Sequence, residues 1–176
     1  QRRVELLQRL VTAAQETEPV DRGRLGLIRA RLAGQYVRLD QPTGAVAAYV
    51  AALADLHAVG SNAIGPVALD LLRCALASGR YDESVAAALA QALPVAERLA
   101  LWDAAKTEVE MRLTPAGAGQ ALAMLAALER CPPGGWPEEA LTELVRLRER
   151  AQQITPPPET APASPLESAA TTQARR

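Results

Sequence analysis

The 176-residue sequence predicts an all-α protein built from antiparallel helix pairs, and three observations carry that prediction. Almost half of the residues are apolar, but most of these are Ala and Leu, with no Phe and few β-branched residues. Helix formers therefore dominate and strand formers are scarce. Apolar residues recur at helical spacing through most of the chain, and Pro, Gly and capping residues divide it into about eight helix-length pieces.

Residues 2–17 place Val4, Leu7, Val11 and Ala14 on one stripe with Leu6 and Leu10 beside it, and Pro19 ends the piece. A second helix is expected from an Asp21 N-cap to about Leu39. Pro42 closes it, because a proline denies helical geometry to its predecessor. Thr43 is the expected cap of a third helix reaching about Ala58, and Gly60-Ser61-Asn62 is a loop. The fourth helix, Ala63 to Ser78, stops at Gly79, the usual left-handed C-terminal residue. Asp82 caps the fifth, in which Tyr81, Val85, Leu89 and Ala92 share a face, and Pro94 closes it.

A longer sixth helix to about Leu113 is expected to carry Val95, Leu99, Trp102, Val109 and Leu113 as its stripe. Thr114-Pro115 supplies an N-cap hydroxyl and a first-position proline for the seventh, with Leu122, Leu125 and Leu128 apolar. That helix ends before Pro132-Pro133-Gly134-Gly135. Pro137 opens the last helix, to about Gln153, with Leu141, Leu144, Val145 and Ala151 apolar. Arg146, Arg148 and Arg150 near its end complement the helix dipole. Residues 155–176 differ in kind: five prolines lie among Ala, Thr, Ser and Glu, and Leu166 is the only large apolar residue. Such a segment buries too little surface to offset its ordering cost, so it reads as a disordered tail behind a 1–154 domain.

Charge is unevenly placed. Residues 1–38 carry eight Arg against four acidic residues, a net charge of +4, whereas residues 39–154 carry nine basic and fourteen acidic residues, a net charge of −5. Basic residues are not interleaved with aromatics and no nucleic-acid module is visible, so no nucleic-acid partner is expected. No run of about 18 apolar residues occurs, so no membrane contact by this segment is expected. The chain opens Gln1-Arg2-Arg3 without an initiator Met and reads as a piece of a longer protein, with an upstream signal, lipid anchor or membrane helix left open. The Arg-rich, Lys-poor composition suits a GC-rich bacterial genome, and cytoplasmic placement near the inner membrane is the corresponding expectation.

Catalytic chemistry finds little to work with. His57 is the only histidine, at a helix end beside a loop, and no Ser or Cys nucleophile signature accompanies it. Cys74 and Cys131 sit in no CxxC or Cys/His pattern, and Cys74 reads as an ordinary thiol in an apolar helix. The Gly-rich stretches at 116–119 and 133–135 follow no strand and match no phosphate loop. Glu108/Glu110 and Glu138/Glu139 fit solvated helix faces, and Trp102 and Trp136 read as packing residues, with an exposed anchor the second reading of Trp136. No enzymatic activity, cofactor or metal is therefore expected.

The residues that carry a family likeness are Leu32, Ala33, Tyr36, Ala45, Tyr49 and Ala52, followed by Leu71, Leu72, Ala75 and the turn Gly79-Arg80-Tyr81-Asp82-Glu83-Ser84-Val85. They fall at the small and large signature positions of tetratricopeptide (TPR) repeats, which the chain resembles over units at 26–59 and 65–98. Small Ala33, Ala45 and Ala52 let the helices of a hairpin approach closely, while Tyr36 and Tyr49 are expected to fill the gap to the neighbouring hairpin. Arg29 replaces the family's large residue, His57 its terminal Pro, and Ser84 its usual Ala. The units start about 39 residues apart instead of 34, so the loop at 57–65 absorbs an insertion. Residues 95–131 keep only the helix–turn–helix layout, and 137–153 resembles a capping helix.

The resemblance implies a short right-handed α-solenoid whose groove, lined by the first helix of each pair, binds another protein as a peptide or helix. The family's groove positions fall on Leu27, Ala30, Arg31, Gly34, Val37 and Arg38, and on Leu69, Asp70, Arg73, Leu76 and Ala77. Leu27, Arg31, Arg38, Leu69, Arg73 and Leu76 are the candidate partner-binding residues, the arginines suited to carboxylates and the leucines to an apolar groove. The Asn and Lys pattern of carboxylate-clamp TPRs is absent. The leading functional expectation is a scaffold or adaptor, with the soluble part of a membrane-tethered bacterial secretion or envelope subunit as its setting. A regulatory or effector-sensing dimerisation domain and a TPR-type secretion chaperone stay open beside it.

Overall fold

The computed structural model describes residues 1–94 and 97–155. They form eight helices and, among the described residues, no strand. In chain order these are α1 (Arg2–Glu16), α2 (Arg22–Arg38), α3 (Pro42–Ala58), α4 (Ile64–Ala77), α5 (Glu83–Ala92), α6 (Arg98–Glu110), α7 (Ala118–Arg130) and α8 (Glu138–Ile154). The expected tail from residue 156 onward and the inward Val95 lie outside the described residues.

Local chemistry explains most boundaries. Asp21 and Asp82 cap α2 and α5, their carboxylates accepting from the backbone N–H groups of Arg24 and Val85 at 3.0 Å each. The helices α2, α3 and α4 all end in one motif. The residues after them, Asp40, Gly60 and Gly79, take positive φ of 53°, 62° and 66°. In each case the next N–H reaches back over the turn: Gln41 to the Tyr36 carbonyl, Ser61 to Leu56 and Arg80 to Ala75.

Two expected starts shift. Pro42 opens α3 as its first residue, with Gln41 before it, because a proline needs no N–H partner there. Thr114 caps a turn rather than α7 itself: its hydroxyl and carbonyl accept from Gly117 N–H, and the helix begins at Ala118. Gly117 is required in that turn, because a Cβ there would lie 2.6 Å from the Arg112 carbonyl oxygen.

Every extensive packing joins helices one or two apart in chain order: α1–α2, α2–α3, α3–α4, α3–α5, α4–α5, α4–α6, α6–α7, α6–α8 and α7–α8. The α2–α3 hairpin is the most extensive, and Gly26 is where it closes most tightly, since a Cβ there would lie 2.7 Å from Leu56 Cγ. Ala33, Ala45 and Ala52 are fully buried, as close approach of small residues demands. Tyr36 behaves otherwise than expected. Instead of reaching the next hairpin, its ring covers Gly44 on α3 and its hydroxyl accepts from Gln8 Nε2 of α1 at 2.7 Å. Tyr49 does join the core shared with α4.

One apolar cluster runs from Ala33 through to Ala151. Near its C-terminal end Trp102 and Trp136 meet edge to face, centroids 5.5 Å apart. The Trp136 indole donates to the Leu128 carbonyl (2.9 Å) and the Trp102 indole to Glu143 Oε2 (3.0 Å). Trp136 is buried, which removes the exposed-anchor reading. In α6, Leu101, Ala104 and Ala105 face the core and Leu99 faces out; in α8, Ala140, Leu144, Leu147 and Ala151 face in while Leu141 and Val145 face out. Trp102 and Val109 of α6 and Leu144 and Ala151 of α8 are buried as expected, whereas Leu99, Leu141 and Val145 are not.

Two carboxylates, exposed Asp82 and half-buried Glu143, give the fold a defined acid response. Hydrogen bonds from the Ser84 hydroxyl and the Val85 N–H hold the Asp82 carboxyl below its ordinary range. The Lys106 ammonium (2.6 Å), then the Trp102 indole, do the same for Glu143. The folded chain thus gives up these protons more readily than the unfolded chain, so the stabilisation is full above the unfolded carboxylate values of about 4 and is lost as pH falls through the lower folded values. Thermal melts are expected to drop between pH 6 and pH 3, and Glu143→Gln to flatten part of that drop. An unchanged slope in that variant would contradict the assignment.

Candidate partner-binding surface

The six residues expected to bind a partner divide into three situations. Leu27, Arg31 and Arg38 lie exposed along α2. Arg73 is exposed and Leu69 half-buried on α4. Leu76 is a correction: at 1% exposure it belongs to the core and cannot line a groove. The reason is that α4 packs against α3, α5 and α6, so Leu71, Leu72, Ala75 and Leu76 all turn inward and only Pro66, Asp70, Arg73 and Ala77 remain exposed.

Helix α2 shows why its outer face is left free. Gly26 and Arg29 turn towards α3, where Arg29 Nη1 pairs with Asp55 Oδ2 at 2.5 Å. Leu25, Ile28 and Leu32 are buried beside them, and Tyr36 meets α1. The remaining face carries Arg24, Leu27, Arg31 and Arg38, all exposed, with half-buried Gly34 between the last two. The arginines recur every seven residues, which keeps them on one side of a helix. Arg24 was absent from the expected set, although the seven-residue recurrence in the sequence is a signal that finds it.

Helices α2 and α4 do not pack extensively on one another; α3 bridges them through Tyr49. Its Oη lies 3.9 Å from where a Cβ on Gly34 would sit, and Asp70 and Cys74 of α4 are its electrostatic neighbours. Burial, with the Asp70 charge adding to it, pushes the Tyr49 hydroxyl up to about 12. It stays a neutral donor at any physiological pH and makes no hydrogen bond within the described residues. Burial first and Asp70 second also push the Cys74 thiol up, which disfavours the reactive thiolate.

The surface has few deep features. Two open depressions of about 540 and 450 Å³ lie elsewhere, one between α5 and the α7–α8 loop, the other beside Leu99 and Glu138. Neither is lined by a candidate binding residue. Among the described residues no group of three or more His, Cys, Asp or Glu could hold a metal ion. His57 is exposed at the end of α3, and both cysteines are free thiols. No described helix is long and apolar enough to cross a membrane.

Fold and surface together define an all-helical chain of locally packed helices with a basic, partly apolar face on its first long hairpin. Comparison with protein-family models, with curated proteins and with solved structures gives no match.

Proposed function

We propose that this chain is a protein-interaction module, a short TPR-like array that holds an acidic peptide or helix of a partner protein against α2 and the adjoining exposed part of α4. The observation that carries the reading is the α2 face: Arg24, Leu27, Arg31 and Arg38 form a solvent-facing basic stripe with an apolar residue inside it. Extensive packing between helices one or two apart in chain order supports the repeat-array reading, since in such arrays each unit contacts only its neighbours. The shared C-terminal motif of α2, α3 and α4 supports it too.

Arginine forks bind carboxylates in bidentate geometry, and the free Tyr49 hydroxyl offers a further donor between the two helices. The partner's apolar side chains would cover Leu27 and Leu69. An adaptor subunit of a bacterial secretion or envelope assembly is the setting that the composition favours.

The test reverses Arg31, Arg38 and Arg73 to Glu together and compares capture of partner proteins with the parent chain, identified by mass spectrometry. A photo-crosslinking residue at position 27 reports contact directly. Loss of the captured protein on reversal, with unchanged circular dichroism, is expected; retention at parental levels rules out this face as the binding site.

A further inference from the structure

The fold leaves the Tyr49 hydroxyl without a partner, facing the gap between α2 and α4. Tyr49 is 6% exposed and its ring belongs to the core, yet its oxygen makes no hydrogen bond among the described residues. A polar group held this way costs stability unless something from outside meets it. The oxygen is not sealed in: among the described residues the one fully enclosed side-chain nitrogen or oxygen without a partner is Arg98 Nε. Its outlet lies over Gly34, where an added Cβ would sit 3.9 Å from the oxygen, in ordinary contact, with no other neighbouring group within 4 Å. Gly34 thus differs from Gly26 and Gly44, where a Cβ would press on Leu56 at 2.7 Å and on the Tyr36 ring at 3.2 Å. A glycine inside a helix weakens it relative to alanine, and at position 34 no contact within the fold requires one.

We infer that this gap is a subsite for the main chain of a bound peptide, whose carbonyl lies over Gly34 and accepts from Tyr49 Oη; the inference rests on reading α2 and α4 as a partner-binding surface. Three features select a neutral peptide unit. The hydroxyl is a protonated donor and calls for an acceptor oxygen. Asp70, exposed on α4 and close enough for its charge to act on the hydroxyl, repels a carboxylate from the same spot. The same carboxylate offers an acceptor to a peptide N–H. Lastly, the missing side chain at position 34 lets a backbone approach closely. The exposed arginines of α2 then select the partner's charge, while Tyr49 and Gly34 fix the depth of its main chain whatever its sequence.

The test follows the tyrosines by NMR, each labelled with carbon-13 at the ring carbon bearing the hydroxyl. The chain has three. Tyr36 and Tyr81 serve as references, because their hydroxyls are engaged with Gln8 and with the Cys131 carbonyl. Tyr49→Phe assigns the third signal and keeps the parental melt, since the deleted hydroxyl has no partner in the fold. The probe is N-acetylalanine methylamide, a capped peptide with two amide units, added up to about 0.5 M because so few atoms bind weakly. The Tyr49 signal is expected to move with rising probe while the references stay. Sodium acetate at equal concentration leaves it in place in the parent and moves it in Asp70→Asn. Gly34→Ala melts no lower than the parent and loses the shift, because its methyl covers the oxygen. A Tyr49 signal that ignores the peptide, that follows acetate equally in the parent, or that still shifts in Gly34→Ala overturns the inference. The chain with Arg31, Arg38 and Arg73 reversed to Glu keeps the shift, so this result is read separately from whether those arginines hold an acidic partner.

Discussion

Replacing Trp102 by Ala is expected to destabilise the chain by about 4 kcal/mol, the range for emptying a fully buried aromatic site. Three interactions go at once. A cavity opens in the core cluster near its C-terminal end, Trp136 loses its edge-to-face neighbour at 5.5 Å, and Glu143 loses the indole donor at 3.0 Å. Only the first two are losses of packing, because Glu143 is partly exposed and keeps its Lys106 partner. Trp102→Phe separates the contributions: it retains an aromatic ring against Trp136 and deletes the hydrogen bond, at a cost nearer 1 kcal/mol. Thermal melts followed by circular dichroism read both, with a fall on the order of 10 °C expected for the Ala variant of a domain this size. Near-equal melting of the Ala variant and the parent would show that Trp102 does not anchor this end of the array.

The sequence made some parts of this fold legible and hid others, and the division has a physical cause. The α1 stripe of Val4, Leu7, Val11 and Ala14 and the α5 face of Tyr81, Val85, Leu89 and Ala92 are the sides turned inward. In α5 Ser84, Gln91 and small alanines lie opposite, so period and burial coincide; in α1 the stripe faces inward although Leu6 and Leu10 stay exposed beside it. Helices α6 and α8 are different. Their inward positions include Ala104, Ala105, Ala140 and Ala151, and close helix packing selects these for smallness rather than hydrophobicity. Ranking by hydrophobicity then assigns Leu99, Leu141 and Val145 to a core they do not enter. Helix α4 packs against α3, α5 and α6, and only Pro66, Asp70, Arg73 and Ala77 mark its outer side; Leu76, expected in the groove from the TPR resemblance, lies in the core.

The candidate surface was half legible. Leu27, Arg31, Arg38 and Arg73 are exposed where the family likeness puts them, but the Tyr49 hydroxyl is a consequence of how α2, α3 and α4 meet. No pattern in the chain announces it.

Arg29 gives the second large effect. The TPR resemblance expects a large residue at this position; Arg29 Nη1 instead makes a largely buried ion pair with Asp55 Oδ2 at 2.5 Å, the side chains only 19% and 11% exposed. The pair sits in the most tightly closed hairpin, one turn from Gly26. Asp55→Ala leaves the guanidinium buried without its partner, and a loss of about 3 kcal/mol is expected, at the lower end for such sites because some solvent reaches the pair. Arg29→Leu strands the carboxylate and costs a similar amount. The double variant Arg29→Leu/Asp55→Ala carries no charge at the site and puts an apolar side chain in place of the guanidinium. It is therefore expected to unfold within about 1 kcal/mol of the parent, since well-packed apolar replacements of buried pairs are often neutral or stabilising. Chemical denaturation of the four chains closes the cycle. If the double variant is as unstable as the sum of the singles, the pair is not coupled, and the Arg29 side chain matters for its packed stem instead of its charge.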